Sequence, residues 1–188
     1  MLDWPGPEID AAAMRLLVLR HAKSEKAEPG MPDRSRRLNT RGQRDAATIG
    51  AYITRHGLAP DAVLVSSAQR TRETWERVAA ELSAPPAAAY EERLYNSGGG
   101  AILKVVKQAG GTARTLLVIG HNPGLHDLAR TLIATGDVEW RERLNERLPT
   151  AGLVVIDFAV ENWSKLHPHA GRLERFVTPR SLAEADRV

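Results

Sequence analysis

Arg15-Leu16-Leu17-Val18-Leu19-Arg20-His21-Ala22-Lys23-Ser24 is an unbroken apolar run that delivers an arginine and a histidine at its end. Leu16, Leu17, Val18 and Leu19 show none of the polar alternation of a half-solvated strand, so they are expected to form a strand covered on both faces. In open α/β sheets the carboxyl ends of the parallel strands form the ligand crevice. A cation and an imidazole placed there are suited to an anionic substrate.

Working outward, the same order of buried strand, polar turn and helix recurs twice. Residues 62–65 are a short apolar strand ending in Ser66-Ser67, followed by Arg70-Thr71-Arg72 and a helix whose Trp75, Val78, Ala79 and Leu82 share one face. Residues 115–119 are a buried strand and Gly120-His121 the turn, with Asn122 as N-cap and Pro123 at the first helical position. His121 is thus expected just outside a helix N-terminus.

Between these repeats, residues 23–37 form a polar loop punctuated by Pro29-Gly30 and Pro32. Thr40 and Gln43 read as a capping box before a helix carrying Ala46, Ile49 and Ile53 and stopped at Gly57. Residues 87–90 suggest a short edge strand, and Asn96 or Ser97 is expected to cap a helix that ends at Gly110-Gly111. The alternating charges of residues 139–147 read as a solvated helical face or a loop. Residues 152–158 read as another strand, and residues 172–177 as a last strand at an edge. This alternation calls for a three-layer α/β/α sandwich around a mostly parallel sheet, with Arg20, His21, Arg70 and His121 converging on one sheet edge.

The 188 residues suit one domain over residues 14–188, preceded by an N-terminal extension over residues 1–13. Hydrophobic residues make up 43% and charged residues 26%, which excludes a fibrous or disordered chain. The formal charge of +3 is spread through the sequence and favours acidic ligands without requiring nucleic acid. The arginine-rich stretch of residues 34–41 also lacks interleaved aromatics for base stacking. No cysteine is present, so disulfides, thiolate catalysis and cysteine-built zinc sites are excluded. Asp3, Pro5, Glu8 and Asp10 interrupt any apolar stretch that could serve as a signal peptide or a membrane span, so a cytoplasmic protein is expected.

Two arginines and two histidines after three separate strands make a cationic pocket with one candidate nucleophile, and guanidinium groups match phosphate oxygens in bidentate geometry. In these residues the sequence resembles the histidine phosphatase superfamily, also called phosphoglycerate mutase-like. Its Arg-His-Gly marker is Arg20-His21-Ala22 here, with alanine replacing glycine. Its Ser-x-x-x-Arg-Thr marker matches Ser66 to Thr71, and its late Gly-His matches Gly120-His121. Arg36-x-Leu38-Asn39-x-x-Gly42 and the compact size resemble the SixA-like phosphohistidine phosphatase branch, and no room is left for a cap domain.

The resemblance implies a phosphatase needing neither metal nor cofactor, in which His21 becomes phosphorylated while Arg20, Arg70 and His121 bind the phosphoryl group and its transition state. It adds Arg36 as a further phosphate-contacting arginine. Many members carry a carboxylic acid after the third strand; Glu91 and Glu92 fall there, and Glu92 is the candidate general acid. The implied partner is a phosphorylated protein, preferred for its phosphohistidine, or a small phosphate ester, with no nucleic acid or membrane; the oligomeric state is left open. The rival from another class is a phosphate-binding or interaction module on the same fold. The site is expected to be shallow and open, lined by residues 23–37 and 91–100.

Overall fold

Leu16, Leu17, Val18 and Leu19 are all fully buried, and successive residues serve opposite faces of a sheet. Leu16 and Val18 belong to one hydrophobic cluster and Leu17 and Leu19 to another. This is why the run shows no polar alternation. The computed structural model describes residues 14–185, so the extension expected over residues 1–13 lies outside the described residues.

The strands are β1 (Met14–Arg20), β2 (Ala62–Ser66), β3 (Ala88–Glu91), β4 (Thr115–Gly120), β5 (Ile133–Gly136), β6 (Leu153–Phe158) and β7 (Gly171–Val177). The helices are α1 (Thr40–Arg55), α2 (Gln69–Ala79), α3 (Gly99–Ala109), α4 (Gly124–Leu132), α5 (Val138–Glu146) and α6 (Pro179–Ala185). The strands make one sheet in the order β3-β2-β4-β1-β6-β7-β5. All pairings are parallel except those of β6, which runs opposite to both β1 and β7. Among the described residues no cap domain is inserted into this sheet. No described helix is long and apolar enough to cross a membrane.

Helices cover both faces. Ala46, Ile49 and Ile53 of α1 and Trp75 and Val78 of α2 pack with Leu17, Leu19, Leu117 and Ile119. Ile102, Val105 and Val106 of α3 and Leu125, Leu128 and Leu132 of α4 pack with Leu16, Val18, Leu116 and Val118. The result is the expected three-layer sandwich, with β1 and β4 side by side in its middle. Register pairs Arg20 with Gly120, so His21 and His121 leave the sheet next to each other.

Several local expectations are corrected. The N-cap of α1 is Asn39, whose side chain accepts from the Gly42 N–H at 2.8 Å; Thr40 is already helical. Asn39 N–H also donates to the Lys23 carbonyl, and a Cβ on Gly42 would stand 2.0 Å from that same oxygen. The Asn39-x-x-Gly42 spacing therefore docks α1 against the chain just after His21. The helix α3 is capped by Gly98, not Asn96 or Ser97. Asn122 does not cap α4: its amide donates to the Leu148 carbonyl at 2.8 Å, and Pro123 holds the cap position. Residues 172–177 are not at an edge, because β5, which has no sequence signature of its own, adds on outside β7.

Candidate active site

Arg20 and His21 end β1 in a turn pinned from both sides. His21 N–H donates to the Gly120 carbonyl at 3.0 Å, and Arg20 N–H donates to the Gly152 carbonyl at 3.2 Å. Ala151 N–H is shared between the Arg20 and His21 carbonyls. Below the turn, the buried Thr74 of α2 accepts from Ala22 N–H at 3.0 Å and donates to the Arg70 carbonyl at 2.6 Å. One hydroxyl thereby ties the end of β1 to the helix that carries Arg70.

His21 is buried, and its Nδ1 lies 2.8 Å from the Ala22 carbonyl. A carbonyl can only accept, so Nδ1 carries the proton and Nε2 holds a lone pair. Burial pushes its pKa down to about 3, against the bond to Ala22, with help from His121, Arg70 and Arg20. At neutral pH the ring is uncharged, with a lone pair on Nε2.

His121, with its ring centroid 5.2 Å from that of His21, is held in the opposite tautomer. Its Nδ1 lies 3.3 Å from Nη2 of Arg70, and a guanidinium can only donate. The proton is therefore on Nε2 and goes to the Ser66 hydroxyl at 2.8 Å. Burial, then the Arg70 charge, lowers its pKa to about 4, with Asp33 opposing.

Arg70 is 4% exposed. Its Nη1 donates to the Asp33 carbonyl at 2.8 Å and its Nη2 to the Asp33 carboxylate at 3.0 Å. Arg20 donates through Nη1 to the Leu148 carbonyl at 2.9 Å. Burial and the Arg70 charge both lower its pKa, so these two cations stand where an anion between them would be stabilised. The Nε donors of Arg20 and Arg70 are buried without a protein acceptor.

Arg36 approaches this cluster through Asp33, whose Oδ1 accepts from its Nε at 2.9 Å and its Nη2 at 2.7 Å. Arg20, Arg36 and Arg70 against Asp33 leave two positive charges in excess, matching a phosphoryl dianion. Glu92 stands apart from this arrangement. It is exposed and ion-paired with Arg34, and the nearby Ser67 hydroxyl and then the Arg34 pair hold its carboxyl below the usual range. That keeps it ionised, which does not suit a proton donor at neutral pH and corrects the expectation of a general acid held ready there.

The two loops expected to leave the site open instead meet over it. Arg34 pairs with Glu92 and lies 4.4 Å from the Tyr95 ring centroid, and Tyr95 donates to the Asp33 carboxylate at 2.8 Å. Tyr95 also sets its ring edge-on to His121 at 5.5 Å. Asp33, Ser66, Thr74 and Tyr95 were not assigned roles from sequence. Thr74 was reachable, since it stands four residues after Arg70 on the same helix face, and Asp33 three residues before Arg36; Tyr95 has no local signature. The paired His167-Pro168-His169 lies outside the site, and no group of three His, Asp or Glu side chains suited to a metal occurs among the described residues.

The sequence profile of the histidine phosphatase superfamily (branch 1) matches residues 16–101, from β1 into α3. The uncharacterized protein Rv1276c of Mycobacterium tuberculosis is 37% identical over 164 residues, covering 86% of this chain and all of that protein. A crystal structure assigned as the phosphohistidine phosphatase SixA of Agrobacterium tumefaciens superposes with a TM-score of 0.75 at 27% identity, over 88% of this chain and 98% of that one. One similarly assigned from Nakamurella multipartitia gives 0.76 at 27%, over 90% and 98%. With the matched profile, the similar fold and the paired histidines at the carboxyl ends of β1 and β4, the chain belongs to the histidine phosphatase superfamily and is similar to its SixA-like members.

Proposed function

We propose that this protein is a phosphatase that moves the substrate's phosphoryl group onto Nε2 of His21 and then to water, and that its substrate is protein phosphohistidine. Phosphatase activity is supported by the family and by the SixA-like structures. The observation that carries the finer reading is the state of His21: neutral, with its proton committed to the Ala22 carbonyl and its Nε2 lone pair free beside the buried Arg70 and half-buried Arg20.

In the first step Nε2 attacks phosphorus and the bond to the leaving group breaks. Charge spreads over the equatorial oxygens, so the fixed cations Arg20 and Arg70 do most of the work, while neutral His121, whose Nε2 proton goes to Ser66, orients Arg70 through Nδ1. Arg36 joins them when it is released from Asp33. In the second step water attacks phosphorus and the P–Nε2 electron pair returns to His21. The water oxygen and its protons leave with phosphate, and the ring regains its starting tautomer.

The leaving group selects the substrate. A phosphomonoester releases an alkoxide, which must be protonated, and Glu92 is ionised in its pair with Arg34. A phosphohistidine whose other ring nitrogen is protonated releases a neutral imidazole. Transfer from that ring to His21 exchanges one phosphorylated imidazolium for another and needs no outside acid. The reading requires no metal, so EDTA should leave turnover unchanged.

The test is a competition among a phosphohistidine peptide, p-nitrophenyl phosphate and a sugar phosphate, with neutral-pH trapping and mass spectrometry. The expected results are a higher kcat/KM for the phosphohistidine peptide, phosphate on His21, and no covalent phosphate on His21→Ala. Glu92→Gln should leave phosphohistidine hydrolysis within about threefold, as for an exposed pair. Preference for the sugar phosphate, or phosphate trapped on His121, would overturn the assignment. Phosphate binding without hydrolysis of any donor would make the protein a binding module.

A further inference from the structure

The sequence presents residues 23–37 as a solvated loop, yet one residue of it reaches into the phosphoryl site. Asp33 opens a three-residue 3-10 turn, Asp33–Ser35, none of whose residues is buried. Its carboxylate takes two bonds from Arg36 on Oδ1 and one each from Arg70 and Tyr95 on Oδ2. A carboxylate and a phosphoryl group present paired oxygens to guanidinium in the same way. We propose that Asp33 is a displaceable internal anion: it occupies Arg36 and Arg70 until the substrate's phosphoryl group takes them over, and it returns to them as phosphate leaves. This rests on the phosphoryl-transfer reading of the same site.

Three observations support displacement over a permanent clamp. Both terminal nitrogens of Arg70 are already used, Nη1 by the Asp33 carbonyl and Nη2 by its carboxylate and by His121. A phosphoryl group can grip that edge in bidentate fashion only if the Asp33 turn gives way. The Nε donors of Arg20 and Arg70 are meanwhile closed to water and unpaired, a costly state that phosphoryl oxygens would relieve. Finally, the turn is lightly held: the Asp33 side chain is 48% exposed, and apart from the arginines it would surrender, its carboxylate is bonded only to Tyr95.

Asp33 is well suited to compete. Burial pushes its carboxyl up, but the bonds from Tyr95, Arg36 and Arg70 outweigh this and hold it far below the usual carboxylate range. The charge is therefore present at every working pH. An anion that re-enters as phosphate departs limits the affinity for phosphate and so favours product release.

The sign of the effect separates this from a merely structural role. Asp33→Asn keeps the shape and removes the charge. Calorimetric titration with inorganic phosphate should show binding about tenfold tighter than wild type, the scale expected for losing one charge-assisted competitor. Phosphate should become a stronger product inhibitor, and KM should fall without a rise in kcat. Asp33→Ser should move phosphate affinity in the same direction, and Asp33→Glu should restore it to within about threefold of wild type. Equal or weaker phosphate binding by Asp33→Asn with an unchanged melting temperature would overturn the proposal and leave Asp33 as a residue that only orients Arg70. If wild type binds no phosphate, or Arg70→Ala binds it equally well, the phosphoryl-site reading itself fails.

Discussion

Replacing Thr74 by valine removes one oxygen from the centre of the site and almost nothing else. The Thr74 hydroxyl is the acceptor for Ala22 N–H, and both residues are completely buried, so the valine protein leaves that N–H with neither water nor a protein acceptor. An orphaned buried donor costs about 1–3 kcal/mol, and the methyl that replaces the hydroxyl fills the space without offsetting it. For a chain of 188 residues, with about 2–4 °C of melting temperature per kcal/mol, the expected drop is about 2–12 °C. The catalytic effect should exceed the stability effect in specificity. The same hydroxyl couples the His21 turn to the carbonyl of Arg70, and small displacements of a nucleophile relative to its phosphoryl clamp are costly in rate. A fall of about tenfold or more in kcat is expected, with KM within about twofold. Thr48→Val is the control: its hydroxyl bonds the Arg44 carbonyl on the exposed side of α1, and its loss should cost no more than about 0.5 kcal/mol. Differential scanning calorimetry and steady-state kinetics on both variants decide the matter. A Thr74→Val protein that melts and turns over like wild type would refute the claim that this hydroxyl carries the β1 turn.

Arg70→Ala should lower kcat by about 100-fold or more, as for a deleted oxyanion donor, while His21→Ala should keep measurable phosphate binding because Arg20, Arg36 and Arg70 remain. Because the His21 pKa is lowered to about 3, its nucleophilic form persists as pH falls through the ordinary histidine range. The kcat/KM profile for a substrate that does not itself titrate there should show no His21 limb near pH 6.5; such a limb would contradict the buried neutral ring. Stability follows from the same shifts. Between about pH 6.5 and the folded values near 3 and 4, the unfolded chain binds more protons than the folded one at His21 and His121. Unfolding free energy should therefore fall as pH drops through that window, adding to the loss from Glu91, whose pKa is lowered to about 2 by its bonds from Arg93. Urea titrations at pH 7, 5.5 and 4.5 measure this, and a stability that rises on acidification would refute it.

The parts of this protein legible from sequence are those governed by local rules. A strand buried on both faces has no polar alternation, and a helix that packs on a sheet repeats its apolar residues every three or four positions. Those patterns were enough to place β1, β2 and β4 and the helices after them, and so to put Arg20, His21, Arg70 and His121 after strand ends on one edge of the sheet. The helix caps were not legible at the same level. Asn39 and Thr40 are both competent caps, and so is Asn122. Only the fold decides that Asn39 meets the Lys23 backbone and that the Asn122 amide is taken by Leu148, 26 residues away. The strand β5 likewise exists because β7 offers it an edge, since its four residues have too little pattern to announce it.

At the candidate site, residue types suggest the proposed chemistry but not its protonation states or its competition. Neutral His21 and His121 in opposite tautomers depend on a carbonyl from the next residue, a hydroxyl 55 residues away and a guanidinium 51 residues away. Glu92 reads as a free acid in the sequence and becomes an ionised partner of Arg34, 58 positions distant. Asp33 reads as one charge among many in a polar loop, and only the folding of that loop across Arg70 and against Tyr95 sets it between Arg36 and Arg70. Hydrophobic periodicity acts over a few residues and is written in order along the chain. Proton positions and ion pairing act over a few ångströms between groups remote in sequence, so they are settled only when the chain has closed on itself.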